Sequence, residues 1–267
     1  MITTIITDCH DANATGRSVA RATALLKYPT QLVGVGSDLE AAGNLIDLID
    51  ATDGEGGVVL ANVAPRDHYA KKWPNGTPFG YFYYQNILVV STIDGLTLSL
   101  AKKYGLIDQI QVVDIPAATK EMAATNFIAD HLPEYIANSQ FRSFDFMPRL
   151  AAYLLKYKKI ISQPLPIEQI PDAPAAIWWV DNFGNCKTTL WASEFAAELN
   201  KLGKTDLIAS YKGLKDVPDD QVGLITGSSG LDSRRFAELV LQGGSVAKKY
   251  NLVSGDDLKS IINKISQ

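Results

Sequence analysis

The sequence predicts an α/β fold in two parts. The first is an N-terminal α/β domain with a mixed, largely parallel sheet, and the second is a smaller, β-rich C-terminal domain. Strand and helix signals alternate through the first half of the 267 residues, as is typical of α/β proteins. Four of the twelve prolines then cluster in QPLPIEQIPDAP, and short strand signals separated by turn residues follow. We therefore expect a first domain at 1–162, a proline-rich linker at 163–174 and a second domain at 175–267.

The elements of the first domain follow from local patterns. Short apolar, β-branched runs predict strands at TTIIT, QLVGVG, GVVLANV, GYFYYQ, ILVVS and QIQVVDI. Residues 15–27, DLEAAGNLIDLID and DGLTLSLAKKYG are predicted to be helices. Ser37 or Asp38 is a natural N-cap for the second helix, and Gly105 is placed to end the third. Residues 117–159 are expected to be mostly helical, with breaks near Pro133 and Pro148.

The second domain is predicted from shorter signals. The prolines of residues 163–174 exclude an ordinary helix or a central strand there, because proline lacks the backbone N–H group. AAIWWV, TDLIAS and VGLIT predict strands. FAELVLQGGSVAKKY, residues 236–250, is predicted to be a helix despite its two glycines, and a further helix is expected at the C-terminal end.

The composition excludes several function classes. Lys plus Arg number 25 and Asp plus Glu number 29, so the net charge is −4, which disfavours nonspecific binding to nucleic acids or anionic membranes. Two cysteines and three histidines exclude a disulfide scaffold and a cysteine-rich zinc module. We see no targeting segment and no apolar stretch near the roughly 20 residues of a membrane span. A cytoplasmic protein is therefore expected.

The loop TDCHDAN follows the first predicted strand, where α/β sheets bind ligands. Asp8 can accept two hydrogen bonds from a sugar diol, with Asn13 nearby. Asp8 and Asp11 are also oxygen donors of the kind that hard metal ions prefer. The alternative is a polar loop in which an Asp or Asn caps the next helix.

A second polar turn, VDNFGNCKTTL, follows an apolar strand in the C-terminal domain. Asp181 could hold an ammonium group or a cation, Phe183 could stack on a base, and Asn185 could bond to the edge of that base. The alternative is a plain β-turn, which the turn chemistry of Asn-Phe-Gly-Asn favours from spacing alone.

Two further segments carry polar groups. In LITGSSG the hydroxyls of Ser228 and Ser229 could hold a carboxylate, although a flexible Gly/Ser loop is the alternative. In APRDHY, Asp67 and His68 could do acid–base work, or could lie in a solvated loop. GVGSDL lacks the third glycine of a dinucleotide-binding loop and is interpreted as a turn.

Together these segments resemble one family, the S-adenosyl-L-methionine hydroxide adenosyltransferases (adenosine-forming hydrolases) with the related fluorinase and chlorinase. VDNFGNCKTTL resembles the family's D-x-F-G-N-x-x-T-N signature, with Thr189 in place of the final Asn. TIITDCHDANATGR resembles its opening T-D-F-G-x-x-D, with Asn13 replacing the second Asp. FDFMPRLAAYLL resembles its F-A-P-A-A-A helix. The stretch from ASYKGLKDVPDDQVGLITGSSG to the Gly-Asp pair of SGDDL resembles the family's close, with LDSRR as an insertion.

The resemblance implies a C-terminal β-barrel-like domain and a homotrimer with ligand sites between subunits. S-adenosyl-L-methionine would be the substrate or ligand, with no other cofactor and no metal. Asp8 would bind the ribose and Asp181 the methionine ammonium group. Phe183 and Asn185 would contact adenine, and Ser228 or Ser229 the methionine carboxylate. The implied reaction is displacement of methionine at C5′.

The residues that activate water in the hydrolases differ here. Ala64 stands at the family's Asp position, Lys71 near its Arg, and Phe141 or Arg142 at its His, while Asp67 and His68 are the nearby groups that could substitute. The halogenases' Tyr-Pro halide loop is represented by Pro65 alone. Three hypotheses follow: an enzyme cleaving S-adenosyl-L-methionine with water or another nucleophile, a non-catalytic adenosyl-ligand binder, or a metal-dependent nucleoside hydrolase built on Asp8, Asp11 and Asn13.

Overall fold

The structure is a computed structural model that describes residues 1–63 and 77–267. Within it the chain forms two compact units, Met1–Asp172 and Ala173–Gln267.

The first unit is built on a seven-stranded sheet in the order β2-β1-β3-β5-β4-β6-β7. Its strands are β1 Ile2–Thr7, β2 Thr30–Gly34, β3 Gly57–Asn62, β4 Phe79–Tyr84, β5 Ile87–Thr92, β6 Gln109–Val113 and β7 Gln163–Pro166. Among the described strands, β1 pairs in parallel with β2 and β3, and β3 with β5. The pairs β4–β5, β4–β6 and β6–β7 are antiparallel. The predicted α/β fold with a mixed sheet is confirmed.

Seven helices are described in this unit: α1 Ala12–Leu26, α2 Asp38–Ala51, α3 Ser99–Tyr104, α4 Ile115–Ala124, α5 Leu132–Ala137, α6 Arg142–Asp145 and α7 Met147–Tyr157. Residues of α1, α4 and α7 pack with Ile5, Leu60 and Val90 of the sheet in one core cluster. Neighbouring side chains of a strand point to opposite faces, and α2 packs against β1, β3 and α3 outside that cluster. The sheet therefore carries helices on both faces.

The predicted helix ends are confirmed where a cap is present. The Ser37 hydroxyl accepts a hydrogen bond from the Glu40 N–H at the start of α2. Gly105 ends α3 in the left-handed conformation, with φ of 61°. Pro133 and Pro148 lie in the first turns of α5 and α7, where a missing N–H costs nothing.

Most of the proline-rich stretch, residues 163–172, belongs to the first unit, whereas Ala173 and Pro174 belong to the second. Gln163–Pro166 forms β7, which pairs with β6 at the edge of the sheet. An edge strand tolerates Pro164 and Pro166, because it pairs with a neighbour on one side alone. Ile167–Gln169 then makes a short 3₁₀ turn whose Ile167 is buried.

The second unit has a five-stranded sheet in the order β10-β11-β12-β9-β8. Its elements are β8 Ile177–Val180, β9 Cys186–Trp191, α8 Ala192–Lys201, β10 Ala209–Ser210, β11 Val222–Leu231, β12 Arg234–Leu241, α9 Val246–Tyr250 and α10 Leu258–Ile265. The pairs β8–β9, β9–β12 and β11–β12 are antiparallel, whereas β10–β11 is parallel. The buried stripe of α10, including Ile261 and Ile262, belongs to the same core cluster as Phe195 of α8 and Leu239 of β12.

The helix predicted over residues 236–250 is wrong. Residues 236–241 are part of β12, which pairs with both β11 and β9, and the helix α9 begins at Val246. Ala, Glu and Leu favour helices locally, but pairing on both sides overrides that weak preference. LDSRR, the apparent insertion, supplies the two-residue turn at Asp232 and Ser233 that joins β11 to β12.

The sequence interpretation missed α8. Its Phe195 and Leu199 are buried and lie four positions apart. The Glu194 carboxylate accepts a hydrogen bond from the Trp191 N–H at 2.9 Å, which fixes the first turn. No helix of residues 1–63 and 77–267 is long and apolar enough to cross a membrane.

Candidate functional site

The first unit places Asp8 at a point where the strand order reverses. From β1 the chain passes to β2 on one side, and from β2 it returns to β3 on the other side of β1. Thr7 and Asn62, the last residues of β1 and β3, are register partners. Open α/β sheets bind ligands at the carboxyl ends of strands beside such a reversal. Asp8 follows Thr7 directly and is half-buried.

The Thr7 hydroxyl organises the start of this loop. Its Oγ1 accepts a hydrogen bond from the Cys9 N–H at 3.0 Å and lies 3.5 Å from Nδ2 of Asn62. Asp11 is the N-cap of α1, and its Oδ1 accepts hydrogen bonds from the N–H groups of Asn13 and Ala14. The capping alternative is therefore confirmed for Asp11. Asn13 lies exposed in the first turn of α1.

A small enclosed cavity lies below this edge of the sheet. Its volume is about 20 Å³, enough for about one water molecule. Its polar lining consists of Thr7, Asn62, Ser18 and Ser143. Its apolar lining consists of Ile5, Leu60, Phe141, Phe144, Met147 and Pro148. The cavity is lined by hydroxyl and amide groups on one hand and by phenyl rings and aliphatic side chains on the other. A water molecule in it could therefore form few hydrogen bonds.

In the second unit, Asp181 and Asn185 close the turn between β8 and β9. Oδ1 of Asp181 accepts hydrogen bonds from the N–H groups of Phe183 and Asn185, each at 2.9 Å. Its Oδ2 accepts one from the Asn185 side-chain amide at 3.1 Å. The turn alternative is thus correct for the backbone. An ionised carboxylate has about four acceptor sites, so this pattern still leaves room for a further donor.

Phe183 stands at the tip of this turn with 71% of its surface exposed. The turn beneath it is fixed by Gly184, which has φ of 83° and lies so close to Ser245 that a Cβ would overlap the Ser245 hydroxyl. The Gly184 carbonyl accepts a hydrogen bond from the Ala247 N–H at 3.0 Å. The Phe183 ring is therefore exposed to solvent on a turn whose backbone is fixed by contacts with Ser245 and Ala247.

Ser228 and Ser229 lie within β11 at an irregularity of the β11–β12 pairing. The flexible Gly/Ser loop considered as an alternative is wrong, because these residues belong to the strand. Nη1 of Arg235 donates hydrogen bonds to the carbonyls of Ser228 and Gly230, which fixes the bulge. Ser228 is exposed, whereas Ser229 is buried.

The ion pair of Lys187 and Glu238 was not anticipated from the sequence. Nζ of Lys187 lies 3.5 Å from Oε2 of Glu238, and both side chains are largely buried in the sheet. Gly227 passes close over this carboxylate, since a Cβ there would lie 2.5 Å from Oε2. The ion pair joins neighbouring strands, because Lys187 lies in β9 and Glu238 in β12. The sequence could not predict it, because residues 236–250 were predicted to be a helix.

Cys186 begins β9 directly after this turn, and its side chain is buried. Burial, followed by the charges of Asp181, Glu238 and Asp256, raises the pKa of its thiol to about 12. At neutral pH the thiol stays protonated, and a thiol reacts as its thiolate.

Asp67 and His68 lie outside the described residues, as do Ala64, Pro65 and Lys71. Within residues 1–63 and 77–267, no three His, Cys, Asp or Glu side chains are grouped so that they could share a metal ion.

Two solved structures resemble the chain over almost its full length. One, described as an uncharacterized conserved protein from Thermotoga maritima, has a TM-score of 0.59 at 17% identity, covering 96% of this chain and 98% of its own. The other, a conserved hypothetical protein from Thermus thermophilus, has a TM-score of 0.52 at 16% identity, covering 95% and 97%. At these identities the likeness shows a shared fold alone. No family model and no curated protein matches the chain.

Proposed function

We propose that the protein binds S-adenosyl-L-methionine and cleaves it at C5′, with water as the nucleophile, to give adenosine and methionine. The observation that carries the proposal is the turn of residues 181–185. It holds an exposed phenyl ring beside a carboxylate and a side-chain amide, in the order that the adenosyl-binding signature requires.

Each group of this turn matches part of the ligand. Phe183 offers a free ring face for stacking on adenine. The Asn185 side chain donates to Asp181, so its carbonyl oxygen remains to accept from an adenine amino group. The remaining acceptor capacity of Asp181 suits the methionine ammonium group. Exposed Ser228 is the better candidate of the two serines for the methionine carboxylate.

The first unit would supply the ribose contact. Asp8 follows β1 at the reversal of strand order, and a carboxylate there can accept hydrogen bonds from both hydroxyls of a ribose. Asn13 is the second candidate in this loop. We further propose that the chain forms a homotrimer with ligand sites between subunits, and that the second unit is the β-barrel-like partner in each site.

The proposed reaction needs positioning more than a strong base. A lone pair of the water oxygen forms the C5′–O bond while the C5′–S bond breaks, and its electron pair returns to sulfur as neutral methionine thioether. The attacking water then loses a proton. Because the sulfonium is already a good leaving group, the protein must hold water in line and keep other water away.

A second candidate is a non-catalytic adenosyl binder. The observation that favours it is the identity of Phe141 and Arg142, one of which stands where the hydrolases carry a water-activating His. Phe141 stacks on Phe144 with ring centroids 5.4 Å apart, and burial lowers the pKa of Arg142. Neither a phenyl ring nor a guanidinium can take a proton from water at neutral pH.

Both candidate functions require the protein to bind S-adenosyl-L-methionine. Calorimetric titration of the full chain with this ligand tests that requirement. We expect Phe183→Ala to weaken binding about fivefold or more, because loss of one base–aromatic stack costs about 1–3 kcal/mol. Val253→Ala is the matched control, since Val253 is another exposed apolar residue of the second unit, at 55% exposure. A wild-type chain that does not bind, or a Phe183→Ala variant that binds equally well, would overturn the proposal.

A further inference from the structure

Arg17 and Arg21 share an aromatic platform on the first unit. They lie four residues apart on α1 and therefore on one face of that helix. Their guanidinium carbons lie 4.7 Å and 4.1 Å from the centroid of the Phe144 ring. Arg17 is also 5.6 Å from the centroid of Phe141, which stacks on Phe144. Both guanidinium groups are thus held by cation–π contacts.

Arg21 uses this position for an ion pair. Its Nη1 lies 3.2 Å from Oδ1 of Asp145. Oδ2 of Asp145 accepts a hydrogen bond from the Ser139 hydroxyl, and Arg149 lies 3.9 Å from Oδ1. One buried carboxylate therefore serves two guanidinium groups and a hydroxyl, whereas no ion pair joins it to Arg17 among the described residues.

The charge balance around Asp145 is positive. Arg149 also donates a hydrogen bond to the Asp145 carbonyl. Its pKa is lowered, first by burial and then by the positive charge of Arg21, while Asp145 opposes that shift. Positive charge in this cluster thus exceeds what Asp145 neutralises, even before Arg17 is counted.

Arg17 lines an open cavity of about 710 Å³. Among the described residues, its guanidinium has no hydrogen-bond acceptor and no carboxylate within ion-pair distance. Side chains of His131, Asn138 and Gln140 line the same cavity and can donate hydrogen bonds. Glu134 also lines it but forms no ion pair with Arg17 within the part of the chain that the structure describes.

We propose that this cavity binds a small oxyanion, the carboxylate or phosphate group of a small molecule, on the guanidinium of Arg17. Contact with two phenyl rings holds the Arg17 guanidinium on the aromatic platform, and its N–H groups have no acceptor among the described residues. Those N–H groups match carboxylate and phosphate oxygens in a bidentate arrangement. The site lies in the first unit, rests on none of the residues assigned to the adenosyl ligand, and stands or falls independently of the proposed function.

Nuclear magnetic resonance titration of the ¹⁵N-labelled full chain tests this proposal. Inorganic phosphate and acetate are titrated separately at constant pH and ionic strength, so that the two oxyanion classes are distinguished. We expect saturable shifts of the Arg17 Nε–H signal and of the backbone amides of residues 138–141 with at least one anion. Arg17→Gln should weaken that binding at least about tenfold, because a charge-assisted bidentate contact is lost.

Two further variants define the outcome. Arg17→Lys keeps the charge but loses the planar fork, so it should bind more weakly than the wild type. Lys259→Gln removes an exposed positive charge from α10 and should titrate like the wild type. Spectra that overlay away from α1 and α6 establish that each variant is folded. The proposal is overturned if neither anion shifts these signals saturably, or if Arg17→Gln titrates like the wild type.

Discussion

Asp145 illustrates how single side chains hold the first unit together. It ends α6, and 3% of its surface is exposed. Through its carboxylate it contacts Arg21 of α1, and through Arg149 it is tied to α7. Ser139, which precedes α6, donates to the second carboxylate oxygen at 2.5 Å. A buried ion of this kind is tolerated because each of its oxygens has a partner.

Asp145→Asn should destabilise the protein by about 3 kcal/mol, the lower end of the cost of breaking a buried ion pair, because Arg21 remains partly exposed. Chemical denaturation measures this change. Asp219→Asn removes an exposed carboxylate of the second unit and should change stability by less than about 0.5 kcal/mol. Equal stability of the two variants would show that Asp145 is not a structural anchor.

At the scale of elements, the turn of residues 181–185 depends on close packing against the start of α9. Gly184 adopts a left-handed conformation and contacts Ser245, whose hydroxyl also caps α9 by accepting from the Lys248 N–H. The turn and α9 are therefore one structural piece. In the following strand, β9, the Thr189 hydroxyl donates a hydrogen bond to the Pro174 carbonyl and accepts one from the Ala176 N–H.

Gly184→Ala should destabilise the protein more than Gly203→Ala does. Both glycines have positive φ, 83° and 63°, so both substitutions strain the backbone by about 1–2 kcal/mol. A Cβ at Gly203 meets nothing within 4 Å, whereas one at Gly184 overlaps Ser245. The difference between the two unfolding free energies measures the clash alone. If the two variants unfold at the same denaturant concentration, the close contact between Gly184 and Ser245 does not affect the free energy of unfolding, and the prediction is wrong.

Local patterns predicted most elements because strand runs, caps and proline positions are encoded by neighbouring residues. Ser37, Gly105 and Pro148 lie where their chemistry placed them. The failure over residues 236–250 has a different cause. Strand β12 is stabilised by pairing with β9 and β11, which are distant in sequence, and local propensity could not reveal either partner.

On the scale of the whole molecule, the order and pairing of the strands determine where the loops of Asp8 and Phe183 lie. The reversal of strand order puts Asp8 beside the end of β3, while the β8–β9 turn presents Phe183 in the second unit. The sequence predicted which loops were polar, but it could not separate a capping residue such as Asp11 from Asp8. It also could not show that Asn185 donates a hydrogen bond to Asp181. The Asp11 cap and the Asn185–Asp181 hydrogen bond both depend on the folded backbone.

Incubation of the full chain with S-adenosyl-L-methionine in ¹⁸O-labelled water tests the central claim most directly. The products are separated by chromatography, and adenosine is analysed by mass spectrometry. We predict equal amounts of adenosine and methionine above a protein-free control, with one ¹⁸O atom in the adenosine, and little product from Asp8→Asn or Phe183→Ala. Release of neither product, or adenosine without the label, would contradict displacement by water at C5′.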